Sequence, residues 1–161
     1  MYLPFTLLCM DLKLKIPPAV ITLIIATAMW WIDQYLVFSW AKFGPMEWIS
    51  FLFLGIGGLF GVLGLVEFYK SSTSIDPHDP HKASHLVTNG IYSISRNPMY
   101  LGLLLILVAY SFYLGNMLVF AILPLFIGYM NRYQIIPEEN IMEEKFGEEY
   151  QKYKSEVRRW L

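Results

Sequence analysis

Two long stretches of this chain are nearly free of charge: residues 46–68 contain only Glu47 and Glu67, and residues 98–133 contain only Arg132. A helix rises 1.5 Å per residue, so about 20 apolar residues cross the roughly 30 Å of hydrocarbon in a bilayer. Runs of this length dominate a chain of 161 residues that is 56% hydrophobic and 17% aromatic, with mean hydropathy +0.45. A soluble domain of that size cannot cover so much apolar surface. We therefore expect an all-α integral membrane helical bundle with about four transmembrane helices and a cytoplasmic C-terminal helix. It forms a single domain over residues 1–161, with spans at about 17–40, 46–68, 98–113 and 116–133. A cytoplasmic loop covers 70–96, and the C-terminal helix covers 137–157.

The punctuation between the runs supports that division. Residues 1–15 end in Asp11, Lys13 and Lys15 and read as an interfacial lead-in, without the basic start and small-residue cleavage site of a signal peptide. Cys9 stands alone, which excludes an internal disulfide and a thiolate metal site. Asp33 is the one charge of the first span. An ionisable residue in a span is a functional candidate, but Asp33 lies among Trp30, Trp31, Tyr35 and Trp40, so an interfacial aromatic belt is the expectation. In the second span Gly57 and Gly61 have the spacing that lets helices approach closely, and packing within the chain is expected rather than a dimer contact. The third and fourth spans are joined only by Leu114-Gly115-Asn116, which dictates an antiparallel hairpin. With four spans, Lys42 lies on one side of the membrane. The other eleven of the twelve Lys and Arg residues lie on the other side, which places both termini and the 70–96 loop in the cytoplasm, here of a bacterial-type inner membrane. No nucleic-acid partner is expected; the partners are the bilayer and a lipophilic small molecule or lipid.

Chemistry concentrates where the third span begins. Asn89-Gly90 is a turn signal, because both residues tolerate positive φ. Pro98 suits the first turn of a helix, where its missing N–H costs nothing. Arg96, Asn97 and Tyr100 thus stand at a helix start whose free N–H groups favour an anion. His78, His81 and His85 fall close together with Asp76 and Asp79, but Pro77 and Pro80 prevent a shared helical face, so a hydrated loop is expected there and no metal. Beyond Pro137 the residues Met142, Phe146, Tyr150, Tyr153 and Val157 mark one helical face, which Gly147 can divide. One turn back, Glu138 joins that face, whereas Glu139 and Glu143 are placed on the polar side. Arg96, Asn97, Tyr100, Arg132 and Glu138 then line a cytoplasm-facing pocket. It contains no nucleophile–base pair, Gly-rich phosphate loop or redox cysteine pair.

Leu86-Val87-Thr88-Asn89-Gly90-Ile91-Tyr92, Arg96-Asn97-Pro98-Met99-Tyr100-Leu101-Gly102, Pro137-Glu138-Glu139, Phe146-Gly147-Glu148-Glu149-Tyr150, Tyr153 and Val157-Arg158-Arg159-Trp160 occur in order over about half of the chain. As a set they resemble the isoprenylcysteine carboxyl methyltransferase family and its bacterial relatives. The resemblance implies an S-adenosylmethionine-dependent membrane methyltransferase. It implies that Ser84, His85, Leu86, Val87, Tyr92, Asn97, Pro98, Met99, Tyr100 and Glu138 bind the cofactor. Asn97 stands where eukaryotic members have histidine, and Gln134 lies near the position of their substrate-contacting arginine, with Arg132 the nearest basic group. Arg132 and Gln134 are therefore the substrate-binding candidates, and Arg132 or Arg96 the catalytic, orienting cation.

Methyl transfer from a sulfonium to a carboxylate joins opposite charges, so a dry site favours it and no general base is needed. The expected acceptor is lipophilic, carboxylate-type, and reached from the bilayer. The same architecture also resembles nicotinamide-dependent sterol reductases, and non-catalytic binding or assembly proteins on that scaffold; both remain open at this point.

Overall fold

The computed structural model describes residues 14–36, 39–70 and 85–161, and these are helical apart from turns and an isolated bridge between Lys42 and Asn116. The helices are α1 (Pro18–Tyr35), α2 (Glu47–Lys70), α3 (Pro98–Leu114), α4 (Met117–Phe120), α5 (Leu123–Met130), α6 (Ile136–Phe146) and α7 (Glu148–Glu156). A 3-10 turn at Gly90–Ser93 precedes α3, and a π turn at Asn131–Ile135 joins α5 to α6. The chain passes back and forth along the bundle as α1, α2, α3 and the α4–α5 pair. Two stretches, Glu47–Lys70 and Met117–Phe146, are long and apolar enough to cross a membrane, and Pro98–Leu114 is a shorter apolar helix.

Prolines decide where the last pass departs from an uninterrupted 116–133 span followed by a separate helix. Pro124 has no N–H for the carbonyl of Phe120, so α4 stops at Phe120 and α5 restarts at Leu123. Pro137 likewise cannot bond the carbonyl of Tyr133. That carbonyl instead accepts the N–H of Leu14 at 3.0 Å, and the turn before the proline widens to π geometry. The helix therefore continues through Pro137 to Phe146. Gly147, at φ +52°, ends it and lets α7 start afresh, as its sequence predicts.

The first helix is also shorter than expected, ending at Tyr35 rather than near Trp40. Beyond it the chain turns back, so that Phe43 and Gly44 donate their N–H groups to the carbonyl of Gly115, at 2.9 and 3.2 Å. Gly115 takes the left-handed conformation at the end of α3, and the Asn116 side chain accepts the N–H of Leu118, which closes the tight hairpin. Asp33 is buried beneath its exposed aromatic neighbours Trp30, Trp31, Tyr35 and Trp40. Its carboxylate accepts from Lys42 Nζ at 2.5 Å and Asn116 Nδ2 at 3.1 Å, tying α1 to the hairpin end of the bundle.

Helix α3 is central: α2 packs on it and on the 90–93 turn, while α1 packs on α3, α4 and α5. The α2 face in contact is made of small residues seven apart. Ser50, Gly57 and Gly64 are buried, whereas Trp48, Phe51, Leu52, Leu59 and Val62 are exposed. A Cβ on Gly57 would stand 2.8 Å from the Gly102 carbonyl, and one on Gly102 would stand 2.7 Å from that of Gly57. The glycine contact is thus within the chain, as expected: Gly102 meets the backbones of both Gly57 and Gly61, a Cβ on it standing 3.1 Å from the Gly61 nitrogen, and the buried small residues continue to Ser50 and Gly64. A Cβ on Gly61 would meet nothing within 4 Å. Ser50 Oγ adds a bond to the carbonyl of Ala109 at 2.8 Å. The main core, Ile21, Met29, Tyr100, Leu107, Val119, Ile122, Phe126, Met130 and Ile135, lies between α1, α3 and the last pass.

Candidate functional site

The start of α3 is where separate parts of the chain converge. The turn at Gly90, with φ +61°, brings the loop against the end of α2, and a Cβ there would stand 2.8 Å from the carboxyl carbon of Glu67. Tyr92 is consequently buried, with Phe68 edge-on at 5.3 Å and its carbonyl accepting Tyr153 Oη at 2.7 Å. Burial pushes the Tyr92 hydroxyl well above its ordinary value, and the neighbouring Tyr153, Glu138 and Glu67 push it the same way. It therefore stays a neutral hydrogen-bond donor. Pro98 opens α3, whose N-cap residue Asn97 makes no side-chain cap, leaving the helix start without that internal acceptor.

Across from this helix start stands α6. Tyr100 Oη donates to Glu138 Oε1 at 2.5 Å, joining two residues 38 positions apart. Glu139, expected on the polar side with Glu143, is instead 5% exposed and the hub of an ion-pair network. Its oxygens accept Arg96 Nη2 at 2.9 Å and, from Arg159, Nε at 3.0 Å and Nη2 at 2.6 Å. The face assignment is corrected on this point: α6 is covered on two sides, by the start of α3 and by the tail, so consecutive residues both point into protein. Glu143 does sit at the surface side, paired with Lys154 at 3.1 Å.

The tail supplies contacts that helical periodicity did not reveal. After α7, the carbonyl of Arg158 accepts the N–H of Arg96 at 3.0 Å, and that of Arg159 accepts Asn97 Nδ2 at 3.0 Å and Ser95 Oγ at 3.4 Å. Trp160 Nε1 donates to Asn131 Oδ1 at 3.1 Å, and the ring packs on the main core. The signal for this strap was the cluster Arg158-Arg159-Trp160 behind two adjacent glutamates, which asks for a partner.

Among the residues singled out from sequence, Tyr92, Arg96, Asn97, Pro98, Met99, Tyr100 and Glu138 are gathered around the start of α3. Arg96 is held there by its ion pair and by a bond from Nη1 to the carbonyl of Lys154 at 3.1 Å, and its Nε is buried without a hydrogen-bond partner among the described residues. Val87 is buried in the small cluster with Ile91 and Tyr92, Leu86 is half-buried and His85 exposed. Ser84, His78 and His81 lie outside the described residues. Arg132 is exposed on the π turn, with its guanidinium 5.8 Å from the centre of the Tyr133 ring. Gln134 is fully buried and donates to the carbonyl of Ile16 at 2.7 Å, while its Oε1 finds no hydrogen-bond partner among the described residues. Gln134 thus sits against the lead-in to α1.

A family model described as Phospholipid methyltransferase matches residues 47–149, a stretch that runs from the start of α2 into α7. An uncharacterized protein of Haemophilus influenzae (strain ATCC 51907 / DSM 11121 / KW20 / Rd) is 52% identical over 63 residues, which is 39% of this chain and 100% of that protein. No solved structure matches the chain.

Proposed function

This chain belongs to the phospholipid methyltransferase family, the family of isoprenylcysteine carboxyl methyltransferase-like membrane methyltransferases, and from that premise we propose that it transfers a methyl group from S-adenosylmethionine to a lipophilic, carboxylate-type acceptor reached from the bilayer. The observation that carries the reading is the Tyr100–Glu138 pair at the uncapped start of α3. A carboxylate acceptor, a hydroxyl and a helix start lie together there, which suits a cofactor bearing both ammonium and carboxylate groups. A nicotinamide dinucleotide would ask for cations at its phosphates. Arg96, the cation nearest the helix start, is already committed to Glu139.

When bound, the cofactor supplies an electrophilic methyl group on a sulfonium. The protein's part is to hold the two reactants in line and to keep water out. In this reading Glu138 accepts hydrogen bonds from the cofactor's hydroxyls or ammonium, and Tyr100 aims its carboxylate. Tyr92, Asn97, Pro98 and Met99 form the wall on the other side, with His85, Leu86 and Val87 at its edge. Arg132 orients the anionic head of the acceptor, Gln134 contacts it from beneath the lead-in, and Arg96 holds the entrance segment in place. All four passes cross the membrane, with the site, the 70–96 loop and α6–α7 on the cytoplasmic side of an inner membrane, because eleven of the twelve basic residues then face inward. Calorimetry on detergent-purified protein tests the reading: S-adenosylhomocysteine should bind and NADPH should not. The reverse preference would transfer the chain to reductase chemistry.

A further inference from the structure

Arg159 makes two unrelated contacts with the proposed site, one through its side chain and one through its backbone. The guanidinium grips Glu139 with two bonds, at 3.0 and 2.6 Å. The carbonyl receives Asn97 Nδ2 at 3.0 Å and Ser95 Oγ at 3.4 Å. Glu139 is the immediate neighbour of Glu138, and Asn97 is the N-cap of the helix that bears Tyr100. One tail residue therefore touches both sides of the Tyr100–Glu138 pair. We propose that Arg159 is a positioning residue for the cofactor site, fixing by its grip on Glu139 the rotation of α6 that presents Glu138 to Tyr100, and by its carbonyl the side chain of Asn97.

The electrostatics favour this division of labour. Two adjacent carboxylates at one buried place repel, and a helix can relieve the repulsion by turning either of them to water. Arg96 and Arg159 together hold Glu139 inward, and Arg159 remains a firm cation because its bonds to Glu139 raise its proton affinity further. With Glu139 neutralised, Glu138 is left as the carboxylate available to a ligand. Removing the bidentate grip leaves Glu139 held by Arg96 through one bond, which loosens the orientation of this turn of α6 and with it the placement of Glu138. Pre-organisation of this kind is expressed in affinity, since the energy of reordering is subtracted from that of binding. Arg is suited to the task where Lys is not, because only the planar fork meets both oxygens.

The inference rests on the methyltransferase reading, so the experiment separates the two. S-adenosylhomocysteine binding is measured by calorimetry for the wild type, Arg159→Gln and Arg159→Lys in the same detergent, with the thermal midpoint recorded for each. The wild type should bind. Arg159→Gln, which keeps the backbone carbonyl, should weaken binding by about tenfold, the loss expected for one charge-assisted contact of about 1.4 kcal/mol. Arg159→Lys should recover only part of that loss. In turnover, the KM for the cofactor should rise more than kcat falls. An Arg159→Gln protein with lowered thermal midpoint but unchanged affinity would show a stabilising role only and overturn the proposal. A full recovery by Lys would overturn the bidentate argument, and failure of the wild type to bind would overturn the underlying reading with it.

Discussion

Changing Glu138 to Gln is the most discriminating perturbation of the proposed site, because it keeps the shape of the side chain and its ability to accept a bond from Tyr100 while removing the charge. The bond that Glu138 receives at 2.5 Å aims the carboxylate through Oε1, and among the described residues no hydrogen bond engages the other oxygen, which can accept from a ligand. A charge-assisted hydrogen bond of that kind contributes about 1.5–3 kcal/mol, which corresponds to roughly ten- to a hundred-fold in affinity. Tyr100→Phe acts one step removed. It loses the aiming bond and should cost about 1 kcal/mol, or roughly fivefold. If Tyr100 acts by aiming Glu138, the double variant should bind no more weakly than Glu138→Gln alone; additive losses would mean two independent contacts. The assay is calorimetric titration with S-adenosylhomocysteine on proteins whose thermal midpoints have been checked. A Glu138→Gln protein that melts with the wild type and binds with its affinity would refute the cofactor contact.

Gly102→Ala should destabilise by about 1–3 kcal/mol through overpacking, because its Cβ meets the backbone of α2 at Gly57 and Gly61; a thermal melt reads the loss, whereas Gly61→Ala, with open space around its Cβ, should melt near the wild type. Burial holds the hydroxyls of Tyr92, Tyr150 and Tyr153 above their ordinary value. Their contribution to stability is thus full below the unfolded value of about 10 and lost as pH rises past it: melting temperatures should be flat with respect to these groups up to that pH and fall above it, with phenolate absorbance rising only on unfolding. Reporter fusions after Lys70 and after Leu161 should both signal cytoplasm, and an external signal from either would break the four-pass orientation.

Local chemistry was readable where one or two residues decide a conformation. Gly115-Asn116 announces the hairpin because one residue takes positive φ and the next caps a helix. Pro98 announces a helix start, and Gly147 a break. The apolar stretches announced helices and their antiparallel order. What escaped was set by partners distant in sequence. Periodicity along α6 finds the face toward its main neighbour and thus Glu138. It cannot find Glu139, whose burial depends on Arg96 and Arg159 arriving from other segments. The π turn escaped for the same reason, since the orphan carbonyl of Tyr133 is satisfied by Leu14, 119 positions away in the sequence. Gln134 could be flagged by resemblance, but its orientation toward Ile16 depends on where the lead-in settles. Among the glycines, the four-residue spacing found Gly57 and Gly61, whose backbones both meet Gly102, while it did not show the seven-residue rhythm by which burial of small residues extends to Ser50 and Gly64.

That rhythm gives α2 a different kind of contact from the other helices. No member of the main core cluster belongs to α2, which is seated on α3 and the segment before it by its small side chains and the Ser50 bond, by Phe53 stacked on Phe112 at 5.6 Å, and by Phe60 and Phe68 against Val87, Ile91 and Tyr92. In a bilayer nothing hydrophobic presses such a helix against its neighbour, because lipid tails would cover the same surface equally well. The attachment of α2 to α3 therefore rests on close packing of one helix backbone against the other, sustained along the length of both. Its far end nevertheless forms one wall around Tyr92, through Phe68 and Gly64. The wall of the site contributed by α2 therefore depends on how closely α2 fits α3, and a side chain added in that seam reaches the site without touching the main core.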